Sequence, residues 1–167
     1  AVAKDPVGRV AEVQEELDYL FSVEDEACKL TDMQLRGELP LRVTHNDTKL
    51  NNILIDRDTM EGICVIDLAT TMPGLSINDF GDSIRFGAAT AAEDEKDLDK
   101  MVMDINLFET YTKGFLSACP GLTENERDML PMGAKLMTLE CGVRFLTDYL
   151  SGDTYFRTHY EGQNLDR

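Results

Sequence analysis

One stretch restricts the fold more than any other: Val43-Thr44-His45-Asn46-Asp47-Thr48-Lys49-Leu50-Asn51-Asn52-Ile53-Leu54-Ile55-Asp56. It sets a histidine, two aspartates, a lysine and three asparagines among β-prone apolar flanks. A core strand would bury too many polar groups without partners. A solvated loop has no need of such flanks. The pattern therefore predicts a loop pinned at both ends by strands, with its polar side chains held for use. Ile63-Cys64-Val65-Ile66-Asp67-Leu68 follows at once and ends its apolar run on an aspartate.

On either side of this region the period changes. Val7, Val10, Val13, Leu17, Leu20 and Phe21 recur at helical spacing, with Pro6 suited to a first turn, and predict a helix over 6–21. A shorter helix is expected over 24–38, closed by Gly37. Strands are expected at 41–43, 53–56 and 63–67, with residues 57–62 as a hairpin connection whose turn glycine is Gly62. Cys64, inside an apolar run, is expected to be a small buried hydrophobe. Met72-Pro73-Gly74 is expected to break the chain, and 90–100 to be a solvated loop or an exposed helix start.

A further helix carries Met101, Ile105, Phe108, Tyr111, Thr112 and Phe115 on one side and ends at Cys119-Pro120-Gly121. Thr123-Glu124-Asn125-Glu126 is a capping-box pattern opening another helix. The fold class expected is α+β, mainly helical, with a small β-hairpin beside the polar loop.

Size and charge bound the function. A chain of 167 residues can bury a core as one domain or one lobe. A formal net charge of −16 speaks against nucleic acid or an anionic membrane surface as partner, because both need clustered Lys and Arg. The four cysteines form no C-x-x-C pair, so neither a disulfide framework nor a zinc site is expected, and a reduced, cytoplasmic setting is. No run of apolar residues is long enough for a membrane span.

The spacing His45-x-Asp47-x-Lys49-x-x-Asn52 suits phosphoryl transfer. That reaction needs an aspartate facing an incoming hydroxyl, to orient it and accept its proton. It also needs oxygen ligands for Mg²⁺ against the nucleotide phosphates. Asp47 fits the base, and Asn52 and Asp67 fit the metal pair, since each stands at the edge of a strand of one hairpin. Lys49 would neutralise charge on the transferred phosphate, and His45 would brace the loop. A His-x-Asp-x₄-Asn spacing arises by chance in roughly one chain in a hundred of this length, and the flanking strands make chance rarer.

These residues resemble the catalytic loop and metal-binding aspartate of the aminoglycoside phosphotransferase/choline kinase family, which shares the protein-kinase fold. His45, Asp47 and Asn52 match its H-x-D-x-x-x-x-N motif, and Asp67 matches the metal aspartate. Within that family, Thr44–Asn52, Met72-Pro73-Gly74-Leu75-Ser76 and Asp79-Phe80-Gly81-Asp82-Ser83-Ile84-Arg85-Phe86-Gly87 are similar to the wording of N-acetylhexosamine 1-kinases. The similarity continues through Met132–Glu140 and Asn164–Arg167.

The resemblance implies ATP- and Mg²⁺-dependent phosphorylation of the anomeric hydroxyl of GlcNAc or GalNAc. It leaves open other small alcohols, such as choline, homoserine or an aminoglycoside, and an inactive, truncated lobe. It implies that Asp79 buttresses the catalytic loop. It also implies that the late helices line the acceptor pocket, which makes Arg144, Asp148 and Tyr155 candidate sugar contacts. Ala69 departs from the Gly or acidic residue usual in relatives. No glycine-rich loop and no strand lysine precede the motif, so residues 1–167 are expected to be the C-terminal lobe, without the nucleotide-binding N-terminal lobe and inactive in isolation.

Overall fold

The computed structural model describes all 167 residues. In chain order the helices are α1 (Gln14–Ser22), α2 (Glu24–Ala27), α3 (Lys29–Leu35), α4 (Ser76–Gly87), α5 (Ile105–Ala118), α6 (Glu124–Asp128), α7 (Leu130–Leu150) and α8 (Gln163–Asp166). The strands are β1 (Arg42–Thr44), β2 (Ile53–Ile55), β3 (Gly62–Val65) and β4 (Met72–Gly74). The fold is α+β and mainly helical, as the sequence leads one to expect. The chain divides into two compact units, one of residues 30–89 and 103–138, the other of residues 1–29, 90–102 and 139–167.

The first unit is built around Phe80, fully buried on α4. Phe108, Tyr111 and Phe115 of α5 pack on it with ring centroids 5.9, 5.8 and 5.2 Å away. Such tilted and edge-on rings add stability beyond the area they bury. The helical spacing read from the sequence put these three on one side, and that side faces the core. Asp104 caps α5 by accepting from Asn106 N and Leu107 N, so the helix starts at Ile105 and leaves Met101 outside it. α4 and the start of α7 cross closely: a Cβ on Gly81 would collide with the Gly133 carbonyl, and one on Gly133 with Ile77. These two glycines are there for close approach rather than for flexibility.

Two antiparallel ribbons complete this unit. β1 pairs with β4 in the register Arg42↔Gly74, Val43↔Pro73 and Thr44↔Met72. The expected break at Met72-Pro73-Gly74 is therefore a strand. Proline is tolerated because a two-stranded ribbon is all edge and needs no donor from residue 73. β2 pairs with β3 through Ile53↔Val65 and Leu54↔Cys64, with a bulge between Leu54 and Ile55.

The turn between them differs from expectation as well. Asp56 Oδ1 accepts from Asp58 N (2.9 Å) and Thr59 N (2.8 Å), and Met60, not Gly62, takes the left-handed conformation (φ 61°). These N–H groups hold the Asp56 carboxyl below its ordinary range. Leu54, Ile55, Ile63 and Val65 are all exposed, and so is Cys64, which was expected to be buried. A lone ribbon has no second layer to cover its apolar side chains.

The second unit has a smaller core of Val13, Leu17, Leu146, Tyr149 and Leu150. The helix expected over 6–21 is a 3₁₀ turn at Val10–Glu12 followed by α1. Arg9 explains the irregular start: its guanidinium lies over the Tyr149 ring at 4.4 Å and donates to Asp153 Oδ2 at 2.6 Å, tying the segment down before the helix opens. The acidic stretch over 90–100 is mostly irregular and ends in a 3₁₀ turn, Leu98–Lys100.

Candidate active site

The polar loop runs from the end of β1 to the start of β2, and α4 holds it from one side. Asp79 accepts from His45 N (Oδ2, 2.8 Å) and from Asn46 N (Oδ1, 2.8 Å), so one carboxylate satisfies two consecutive amides. This permits the sharp bend at Asn46, whose φ is 63°. One turn on, Asp82 Oδ2 accepts from Thr48 N at 2.7 Å. Both aspartates face the loop because residues three apart share a helix face. The predicted buttress at Asp79 lies against the loop; Asp82 is a second anchor that sequence reasoning did not assign. The i, i+3 spacing of the two aspartates was the available signal.

His45 braces the loop towards β3. Its Nδ1 accepts from Asp47 N at 3.2 Å, and its Nε2 lies 2.9 Å from Ile66 O. The first contact requires a bare Nδ1, so the ring is the neutral Nε2–H tautomer donating to Ile66. Both nitrogens are occupied in the architecture. Thr70 Oγ1 donates to His45 O at 2.6 Å, and Asn46 Nδ2 donates to Thr70 O at 2.9 Å. The segment carrying Asp67 is thus laced to the loop carrying Asp47. The register delivers the same result: Ile66 N donates to Asn52 O, so Asn52 and Asp67 stand at one end of the β2–β3 ribbon.

Asp47, Lys49 and Asn52 meet directly. Asn52, buried, donates through Nδ2 to Asp47 O (2.7 Å) and to Asp47 Oδ2 (2.8 Å). Lys49 Nζ is 3.2 Å from the same Oδ2. One carboxylate oxygen therefore takes both internal partners, and Oδ1 takes none. The amide nitrogen of Asn52 is spent on Asp47, and its Oδ1 accepts no hydrogen bond. Asp67 takes a left-handed backbone (φ 59°, ψ 55°) and is exposed, with no hydrogen bond to its carboxylate.

Nowhere do three or more His, Cys, Asp or Glu side chains converge in a way that could hold a metal alone. An amide oxygen plus one carboxylate nevertheless suits Mg²⁺, which keeps waters and takes its remaining ligands from phosphates. The residues present fit that ion.

The three late candidates lie in the other unit. Arg144, Asp148 and Tyr155 line one open cleft of about 400 Å³ together with Thr147, Ser151, Thr154 and Phe156. Their states differ. Arg144 lies 3.7 Å from Glu140 and 5.5 Å from the Phe156 ring centroid, with its guanidinium exposed. The Tyr155 ring is exposed and stands edge-on to Phe156. Asp148 is buried and accepts from Thr154 N, Tyr155 N, Phe156 N and Asn164 Nδ2 at 2.8–3.0 Å. Burial pushes its carboxyl up, but these donors outweigh burial and hold it below the ordinary range. Arg144 and Asp148, four apart on α7, are not ion-paired with each other.

A family model described as the phosphotransferase enzyme family matches residues 5–102. More than half of the chain is covered, and the chain belongs to this family of kinase-type enzymes. The matched span includes every residue from His45 to Asp82 and leaves Arg144, Asp148 and Tyr155 outside it. No helix is long and apolar enough to cross a membrane.

Proposed function

We propose that the protein transfers a phosphoryl group from ATP, with Mg²⁺, to the anomeric hydroxyl of an N-acetylhexosamine. The observation that carries this reading is the state of the Asp47 carboxylate. Its Oδ2 is fixed by Asn52 and Lys49 while Oδ1 stays unpaired, which is what a base needs if it is to orient a hydroxyl and take its proton. Lys49 would counter charge on the transferred group as it leaves the nucleotide. Asn52 Oδ1 and Asp67 would hold the metal, which neutralises charge on the phosphates when bound. His45, with both ring nitrogens engaged, braces the loop.

The sugar acceptor rests on the likeness of the loop, of Met72–Ser76 and of Asp79–Gly87 to N-acetylhexosamine 1-kinases. Arg144 and Tyr155 offer a guanidinium and an aromatic face suited to a polyhydroxylated ring, and Asp148 holds the backbone that carries Tyr155. The chain supplies the acceptor-activating and metal-holding half of a kinase-like fold. Its exposed β2–β3 ribbon, which ends two residues before Asp67, is the surface on which a nucleotide-covering lobe would pack.

The test is turnover by the full-length protein with ATP and Mg²⁺ against GlcNAc, GalNAc, choline, homoserine and an aminoglycoside. Preference for the two hexosamines is expected. Asp47→Asn should lower kcat by about 10²–10⁴-fold, the usual contribution of a positioned base. Wild-type rates in that variant would sink the assignment of Asp47, and preference for another acceptor would replace the sugar.

A further inference from the structure

Thr48 lies between the aspartate and the lysine whose side chains meet, and all three of its polar groups are bound by α4. Its N–H donates to Asp82 Oδ2 at 2.7 Å. Its Oγ1 donates to Asp79 O at 2.6 Å and lies 3.5 Å from Asp82 Oδ2. Its carbonyl accepts from Ser83 Oγ at 3.0 Å. Asp82 is itself buried and steadied by Arg85 Nη2 at 3.4 Å from Oδ1.

A residue that only filled space would not need three separate bonds to one helix. The amide is held by Asp82, the hydroxyl by the Asp79 carbonyl and the carbonyl by Ser83, so three separate tethers fix the Thr48 backbone on both sides of its Cα. Side chains on successive residues follow the backbone between them. Holding Thr48 therefore fixes where Asp47 and Lys49 emerge, and hence their 3.2 Å contact.

We propose that Thr48, clamped by Asp82 and Ser83, is a positioning residue that sets the geometry of Asp47 and Lys49 for phosphoryl transfer. The proposal rests on the reading of Asp47 as base. A displacement of about 1 Å at a reacting group is enough to cost on the order of 10²-fold in rate, so slack at Thr48 should appear in the chemical step. It should not appear in binding, because Thr48 itself offers no free group to a substrate.

The test uses the full-length protein with Thr48→Val, Thr48→Ser, Ser83→Ala and Asp82→Ala, each assayed at saturating ATP and acceptor on the folded fraction. Thr48→Val and Ser83→Ala are expected to lower kcat by about 10–100-fold with both KM values within about twofold, as loss of orientation predicts. Thr48→Ser keeps all three bonds and should return kcat to near wild type. Equal losses in the valine and serine variants, or a fall in melting temperature with kcat unchanged, would overturn the clamp.

Amide hydrogen exchange provides a readout free of substrate: Thr48 N–H should be protected in the wild type and exchange at least about tenfold faster in Asp82→Ala, as expected for a local opening. If the wild type transfers phosphate to no acceptor, the functional reading fails, and exchange alone then decides whether the clamp exists. Unchanged exchange at Thr48 in Asp82→Ala would reject it.

Discussion

Two aspartates on two helices perform the same local task in different units, and comparing them separates chemistry from shape. Asp79 on α4 gathers the amides of His45 and Asn46. Asp148 on α7 gathers those of Thr154, Tyr155 and Phe156 and the side chain of Asn164. In each case a carboxylate satisfies backbone donors that a tight loop would otherwise leave unpaired, at a net gain larger than a neutral acceptor provides.

The outcomes diverge in what the pinned loop presents. The Asp79 loop ends in side chains with unused capacity: Asp47 Oδ1, Asn52 Oδ1 and the Lys49 ammonium. The Asp148 loop ends in rings, Tyr155 and Phe156, beside Arg144. A helix aspartate under a loop is thus a generic anchor, and the residues above it decide whether the loop holds reactive groups.

The sharpest break of this comparison is Asp148→Ala. It removes the acceptor of the Thr154, Tyr155 and Phe156 amides, while the Asn164 amide keeps Asp153 Oδ1, and unfolding free energy should fall by about 3–5 kcal/mol, at 1–3 kcal/mol for each donor that water cannot reach. Denaturant titration measures it; a loss under about 1 kcal/mol would mean that the loop re-pairs elsewhere.

Next in size is Glu126, a third carboxylate used as an anchor. It takes Arg42 Nε and Nη2 at 2.6 and 2.7 Å, Ser76 Oγ at 2.8 Å and Thr123 N at 2.8 Å. It thereby joins β1, the first residue of α4 and the capping box of α6, the two former being the elements that flank the Asp79 loop. Arg42 chiefly holds its carboxyl down at about 2, against the opposing effect of burial. Because the folded value lies below the unfolded one, the stabilisation is complete above about pH 4.5 and is lost as pH falls towards 2. Glu126→Gln should cost about 2–3 kcal/mol at pH 7, water at the half-exposed Arg42 screening part of the pair, and little at pH 2. Melting curves at the two pH values test this, and an equal cost at both would refute the charge argument.

Asp79→Asn sharpens the comparison most directly. One oxygen still accepts, so stability should fall by only about 1–2 kcal/mol. Turnover should fall on the order of 10²-fold because the bend at Asn46 sets where Asp47 lies. The matching Asp148→Asn should reverse the ranking, with the larger effect on stability. Smallest of all is Cys64→Ser on the exposed ribbon, expected within about 0.5 kcal/mol of wild type. A larger loss would mean that the ribbon is covered.

Much of the site was legible from residue order. The polar run between β-prone flanks became a loop between β1 and β2, and the apolar run ending on Asp67 became β3 and its exit. Both depend on local rules, since strand propensity, alternation and capping act over a few residues. Thr123–Glu126 shows this best, both bonds of the capping box being present. The failures lie where a partner distant in sequence decides. Met72-Pro73-Gly74 read as a break because proline argues against a strand, until β1 supplied a ribbon with no need of its donor. Cys64 read as buried because its neighbours are apolar, yet burial requires a second layer that the ribbon lacks.

The sequence by itself determined which chemistry-bearing residues the protein has and that they lie on a pinned loop, because motif spacing and flank propensity are properties of neighbours. Only the tertiary structure decided which of them remain free to act. Asp47 and Asn52 each keep an unpaired oxygen, His45 has both nitrogens engaged and Asp148 is committed to four donors. Those assignments follow from hydrogen bonds between groups as far as 21 residues apart. A hydrogen-bonding group is available only after the folded chain has satisfied the others.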